Sequence, residues 1–354
     1  MRIQPPGALL GALQSCALLS CALLTVPVAS SCTGPEPDLI VYVAMDQVHS
    51  EEILRRFAEE TGLNVRMEFD TEASKTVGLV ARIRAEEKSP RCDVFWNNEI
   101  ANTVALALEN RLASYDSPSA AGIPVAFRDP EHRWTGFAAR ARCLIVNTGR
   151  VQPDAYPSGL ADLLDPENHP GGGIARPLTG TTLTHVVALY TKLGDHPATA
   201  LTDRWIEQNR AGQLALSASN GATMNNTSRG ELNWAFTDTD DFNVALDRGD
   251  PVSRVMPDQE EGGLGALLIP NTVAILKDAP HPEAARQLVD FLLSPEVEQE
   301  LAHGRSAQIP LRADVPRPDH VVSLKGLRIM EVDWMEVGRR LPEVQSNLKE
   351  RFLF

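Results

Sequence analysis

Three carboxylates, Asp238, Asp240 and Asp241, fall within four positions of the segment Thr237-Asp238-Thr239-Asp240-Asp241, between an apolar run and a helical pattern. One residue of this kind is enough to cap a helix. Clustered carboxylates hold a hard cation, and they equally accept hydrogen bonds from an amine or from sugar hydroxyls. The plainer use is local, with Thr239 or Asp240 as the cap. A second segment, Pro177-Leu178-Thr179-Gly180-Thr181-Thr182, leads directly into a helical pattern. The first N–H groups of such a helix lack partners within it. Gly180 allows close backbone approach and Thr181 and Thr182 add hydroxyls, which suits an oxyanion; either threonine could instead be a simple cap. Arg140 and Arg142 alternate in an extended segment and share a face. If that face lines a cleft, the pair can fork onto a carboxylate or phosphate.

The elements that must position these groups alternate along the chain. Leu39–Met45 is an apolar run of buried-strand type, and Ser50 is placed to cap the helix that follows, which ends at Gly62. Residues 63–69 alternate as a strand, 74–87 return to helical spacing, 92–96 read as a strand and 100–109 as a helix. A βαβαβα series implies a parallel sheet with helices on both faces. A long extended segment covers 135–148 and a second α/β series follows: strand 173–176, helix 181–192, strand 214–217, helix 220–229, then 232–237 and 240–248. Another extended stretch spans 262–276, and helices at 281–293, 295–303 and 331–351 close the chain. This order predicts an α/β protein of two lobes joined by crossing strands, with the ligand cleft between them. Lobe 1 comprises 39–140 plus 265–315, and lobe 2 comprises 141–264 plus 316–354.

The N-terminus reads as an address. Residues 1–31 carry one charged side chain, Arg2, ahead of an uncharged apolar run and the small residues Ala29, Ser30 and Ser31. Cys32 follows directly, as in the lipobox of bacterial lipoproteins, so 1–31 is expected to be a signal peptide. Cys32 would be the lipid attachment site and 32–38 a tether. Of the five cysteines only Cys92 and Cys143 then remain in the folded part, either paired or as two buried thiols. The 354 residues carry 33 basic and 47 acidic groups, a net charge of −14, without a basic block. That balance argues against nucleic acid and anionic lipid as partners.

Several segments together resemble the ferric-iron-binding branch of the periplasmic solute-binding proteins of ABC transporters. They are LIVYVAMDQVHSEEILRRFAEETGLNV at 39–65, CDVFWNNE at 92–99, WTGFAARARCLIVNT at 134–148, ELNWAFTDTDDFNVALDRG at 231–249, GGLGALLIPNTVAIL at 262–276 and RSAQIPLRADV at 305–315. The resemblance implies a type II binding-protein fold that closes over a small solute and passes it to a membrane permease. It implies metal-approaching roles for His49 and for Glu99, with Asn98 as the alternative occupant of the second slot. Imidazole and carboxylate suit several metals. The resemblance further implies an anion contact at the start of the helix after Gly180, with Arg140, Arg142, Arg305 and Asn220 nearby. The family's adjacent iron-binding tyrosines are replaced by Thr239 and Asp240 or by Asp240 and Asp241, with Asp238 beside them, and no tyrosine pair exists in the chain.

The expected function is therefore an exported, monomeric solute-binding protein of an ABC importer without a catalytic cofactor. Its cargo is either a metal ion, iron-like and with an accompanying anion, or a phosphorylated, phosphonate or carboxylated organic solute. A hydrolase using Glu99 and Asp240 is the minor alternative; G-x-S-x-G, HExxH and phosphate-loop motifs are absent from the sequence.

Overall fold

The computed structural model describes residues 36–70 and 77–352. The expected signal peptide, Cys32 and the beginning of the helix expected from Ser74 lie outside the described residues. The chain opens with β1 (Leu39–Val43), α1 (Gln47–Thr61), β2 (Val65–Phe69), α2 (Val77–Ala85), β3 (Val94–Asn97) and α3 (Ile100–Leu108). β1 pairs in parallel with both β2 and β3. All five of its residues are buried, as a strand covered on both faces requires. The helix after β1 starts four residues earlier than a Ser50 cap implies. Asp46 stands at the helix start, while the Ser50 hydroxyl donates back to the Asp46 carbonyl at 3.0 Å. Gly62 ends α1 in the left-handed region at φ 72°.

β4 (Thr135–Asn147) is the long extended segment. Its first half pairs antiparallel with β9 (Leu268–Ile275), and β9 pairs in turn with β3. Between the two come β5 (Gly172–Ala175), α4 (Gly180–Leu193), α5 (Asp195–Arg210), β6 (Leu214–Ser217), α6 (Asn220–Ser228), β7 (Trp234–Asp238), α7 (Thr239–Asp247) and β8 (Val252–Val255). The second half of β4, from Arg142 onward, pairs antiparallel with β7 and β8, and β7 continues through parallel β5 to β6. One strand thus carries the pairing from one mixed sheet into the other, in the order β2-β1-β3-β9-β4-β7-β5-β6. A bulge interrupts β4 between Phe137 and Ala139, and Ala138 takes a positive φ of 36° there.

After β9 come α8 (Pro282–Leu292), α9 (Pro295–His303) and α10 (Trp334–Phe352). α10 packs on both series. Gly338 lies so close to α3 that a Cβ would stand 2.4 Å from a Val104 methyl, while Arg340 donates to the Tyr190 carbonyl of α4 at 2.7 Å. Cys92 and Cys143 are both buried and free, and burial pushes both thiols up. No helix among the described residues is long and apolar enough to cross a membrane.

Candidate solute-binding cleft

A cleft of about 280 Å³ opens at the carboxyl ends of the parallel strands, the usual ligand position in open α/β sheets. From the first sheet it is lined by Asp46, just beyond β1, and Asn98, just beyond β3; β4 contributes Arg140. The second sheet contributes Arg176 and Thr179–Thr182 after β5, Ser219–Gly221 after β6, and Asp238, Asp240 and Asp241 at the end of β7.

Besides α1, whose N-cap residue Asp46 is on the lining, three helices begin at this cleft. At α4, Thr179 is the N-cap residue but its side chain makes no cap bond. Gly180 follows at φ 60°, a conformation that favours glycine. At α6 the Ser219 hydroxyl accepts from the Ala222 N–H at 3.1 Å. At α7 the N-cap residue is Asp238, again without a side-chain cap bond, so neither Thr239 nor Asp240 is the cap. Three helix starts facing one cleft favour negative charge there.

The side chains beneath the helix starts are tied to one another. The buried Asp238 carboxylate accepts from Arg142 Nη1 at 2.7 Å, from Asn220 Nδ2 at 2.8 Å and from the Thr181 hydroxyl. Asn220 Nδ2 also donates to Thr181 Oγ1 at 2.7 Å, and Asn220 Oδ1 accepts from the Thr182 hydroxyl at 2.9 Å. The two threonine hydroxyls expected to meet an anion are therefore engaged inside the protein, and what remains for a solute is backbone N–H. Arg142 lies behind the cleft wall, fully buried, with its guanidinium over the Phe236 ring at 5.1 Å. It orients Asp238. Its Nε and Nη2 have no hydrogen-bond partner among the described residues.

Arg140 does face the cleft. Its Nη1 lies 3.0 Å from Asp240 Oδ2, and the two side chains are 8% and 18% exposed. Burial raises the Asp240 carboxyl above its ordinary range and Arg140 opposes the rise. Asp241 accepts from the Thr237 hydroxyl at 2.7 Å. Burial, with Asp240 and Asp238 close by, pushes its carboxyl up to about 8. One oxygen from each of these three aspartates lies within 4.8 Å of the others.

Other expected site residues stand elsewhere. Glu99 is buried as the N-cap of α3 and does not line the cleft; Asn98 does. Its carboxylate accepts from the Ala101 N–H at 2.9 Å, the Asn102 side chain at 2.8 Å and the Thr184 hydroxyl of α4 at 2.8 Å. His49 sits half-buried in the first turn of α1, and Asp46 takes the cleft position beyond β1. Arg305 is 74% exposed, 3.9 Å from Asp247, and does not line the cleft. The Thr239 hydroxyl accepts from the Ala141 N–H at 3.1 Å, joining α7 to β4. Sequence reasoning passed over Asp46, Arg176 and Ser219. Each directly follows a strand or lies within three residues of its end, and that position was the available signal.

Two mixed sheets linked through one crossing strand, with the cleft at their strand ends, define a two-lobed type II periplasmic-binding-protein fold. The chain belongs to the bacterial extracellular solute-binding proteins, whose family model matches residues 101–334. It is a solute-binding protein of ABC import, and proteins of this kind deliver their ligands to a membrane permease. It is 24% identical over 306 residues to Iron uptake protein A1 of Synechocystis, covering 84% of this chain and 82% of that protein. It is also 24% identical over 329 residues to the putative 2-aminoethylphosphonate-binding periplasmic protein of Salmonella typhimurium, covering 90% and 93%. The fold matches the periplasmic binding protein AfuA of Actinobacillus pleuropneumoniae, solved with exogenous fructose-6-phosphate. The TM-score is 0.76 at 19% identity, over 89% of this chain and 98% of that one. These relatives are binding proteins rather than enzymes.

Proposed function

We propose that the cleft captures a small organic solute with a phosphonate or phosphate at one end and an amine or hydroxyls at the other. The observation that carries this reading is the mixed chemistry of the cleft wall. The starts of α4 and α6 bring backbone N–H groups to it, and Asp240 and Asp241 at the start of α7 bring carboxylates beside them. N–H donors at helix starts suit an oxyanion, and carboxylates suit an ammonium group or hydroxyls. The phosphonate-binding and sugar-phosphate-bound relatives support this class of cargo. None of the four tyrosines, Tyr42, Tyr115, Tyr156 and Tyr190, lines the cleft, which argues against phenolate capture of ferric iron.

A metal cargo is the second reading, favoured by the three neighbouring aspartate oxygens and by the iron uptake relative. In the first reading two lobes, 39–140 with 265–315 and 141–264 with 316–354, close on the solute. The proposed boundary on β4 lies one residue before its pairing passes from β9, at Ala141, to β7, at Arg142. Residues 1–31 serve as the export signal and Cys32 as the lipid anchor. A lipid mass on an N-terminal Cys32 peptide from the native host supports the anchor, and an unmodified mature terminus removes it.

The deciding experiment is a thermal-shift and calorimetry panel of phosphonates, sugar phosphates, polyols and metal salts, with metal content measured after chelator-free purification. A solute at 100 times its dissociation constant stabilises the fold by about 2.7 kcal/mol. Stabilisation by phosphonates or sugar phosphates in metal-free protein supports the first reading. Stoichiometric co-purified metal with no response to organic anions replaces it with the second.

A further inference from the structure

The two arginines that line the cleft are in opposite situations. Arg140 is buried and already holds Asp240, whereas Arg176 is exposed and its guanidinium makes no hydrogen bond or ion pair among the described residues. The backbone beneath Arg176 is pinned on both sides. Its N–H donates to the Ser217 carbonyl of β6 at 2.9 Å, and its own carbonyl accepts from the Leu178 N–H at 2.8 Å. Pro177 follows, restricting Arg176 to extended backbone and fixing its own φ. Arg176 thus stands on a rigid base at the end of β5, with the α4 start following it and the α6 start following neighbouring β6.

We infer that Arg176 is the residue that makes the cleft prefer a phosphorus oxyanion over a carboxylate. This rests on the function proposed above and assigns the anion's charge to one side chain. A carboxylate has one charge and two oxygens, which N–H groups at two helix starts can meet. A phosphonate or phosphate monoester has a third oxygen and a charge approaching two, and these need a further cation with forked donors. Arg140 and Arg142 cannot take this part without leaving Asp240 and Asp238 unpaired.

The test measures binding of 2-aminoethylphosphonate, fructose-6-phosphate and β-alanine, the carboxylate counterpart of the first, to the wild-type chain, Arg176→Gln and Arg176→Lys. Loss of one charged hydrogen-bonding group should weaken the phosphorus ligands by about tenfold or more in the glutamine variant. β-Alanine should change by less than about threefold on the same reasoning, because the helix starts already serve a carboxylate. Lysine should recover part of the loss, and the unliganded melting temperature should not move. Arg176→Gln binding the phosphorus ligands within about twofold of wild type, below the worth of one charged hydrogen bond, overturns the assignment and leaves the proposed function standing. A wild-type chain that binds neither phosphorus ligand overturns both.

Discussion

Arg140 Nη1 and Asp240 Oδ2 lie 3.0 Å apart across the cleft wall, joining the crossing strand β4 to the first turn of α7. The carboxylate in the first turn of α7 thus holds a cation of the protein's own. A solute in the proposed site would meet Asp240 as half of an ion pair, and Asp241 as a neighbouring carboxylate that is hydrogen-bonded by the Thr237 hydroxyl and feels Arg140 only through its longer-range field.

The pair should be coupled in stability. Asp240→Asn leaves the Arg140 charge uncompensated in a mostly buried position, which costs about 2 kcal/mol after allowing for the partial exposure of Asp240. Arg140→Met should cost a similar amount, and the double variant less than the sum. Urea unfolding of all four proteins gives the coupling, and strictly additive losses would show that the pair contributes nothing.

Asp241 should make the unliganded protein less stable as pH rises. Its folded pKa of about 8 lies above the ordinary value of 3.8, so between these values the folded state keeps a proton that the unfolded chain has released. Stability from this group is full below about pH 4 and declines toward pH 8. Asp241→Asn should flatten the melting temperature across that window and raise it at pH 8. Parallel pH profiles for the two proteins would contradict the assignment.

Glu99→Gln should impair folding rather than capture. The amide keeps the shape but turns one acceptor into a donor facing the N–H groups of α3, at a cost of about 1–3 kcal/mol. Solute affinity of the folded variant should stay within about twofold, since the group is shielded from the cleft. A large affinity loss at unchanged melting temperature would return Glu99 to the binding site.

Gly338→Ala should destabilise the fold although alanine is the better helix former. The added Cβ would lie 2.4 Å from Val104 Cγ1 and 3.1 Å from the Ala105 nitrogen, so α10 must move off α3. Overpacking of this kind costs about 1–3 kcal/mol, more than the ~1 kcal/mol propensity gain. Val104→Ala in the same chain should recover part of the loss. Gly338→Ala with an unchanged or higher melting temperature would show that the contact relaxes freely.

The alternation of strands and helices was legible because apolar runs such as 39–45 and 92–96 are short, and the helices between them bury one face. α5 was missed. Its sequence, DHPATALTDRWIEQNR, has a proline in the first turn and few apolar residues to mark a stripe. The four-residue edge strand β8 carried too little pattern to stand out. In the site, composition revealed the aspartate cluster and the Gly180 helix start, because each is local. It could not reveal partnership. That Arg142 is spent on Asp238, and that Glu99 caps α3 while receiving Thr184 from α4, depends on contacts between distant segments. Ser50 misled about α1 because a serine four residues into a helix bonds the preceding turn as readily as it caps the next.

β4 is a single strand, yet Arg140 pairs with Ile269 of the first sheet while Arg142 pairs with Asp238 of the second. The cleft's buried cation therefore rides on the axle between the two sheets. In the proposed two-lobe closure, a change in the angle between them would bear on β4 where its pairing passes from β9 at Ala141 to β7 at Arg142, beside the Arg140–Asp240 contact. On that reading, cargo that engages Asp240 and rotation of the sheets would act on the same lever, gearing occupancy to shape through a single contact.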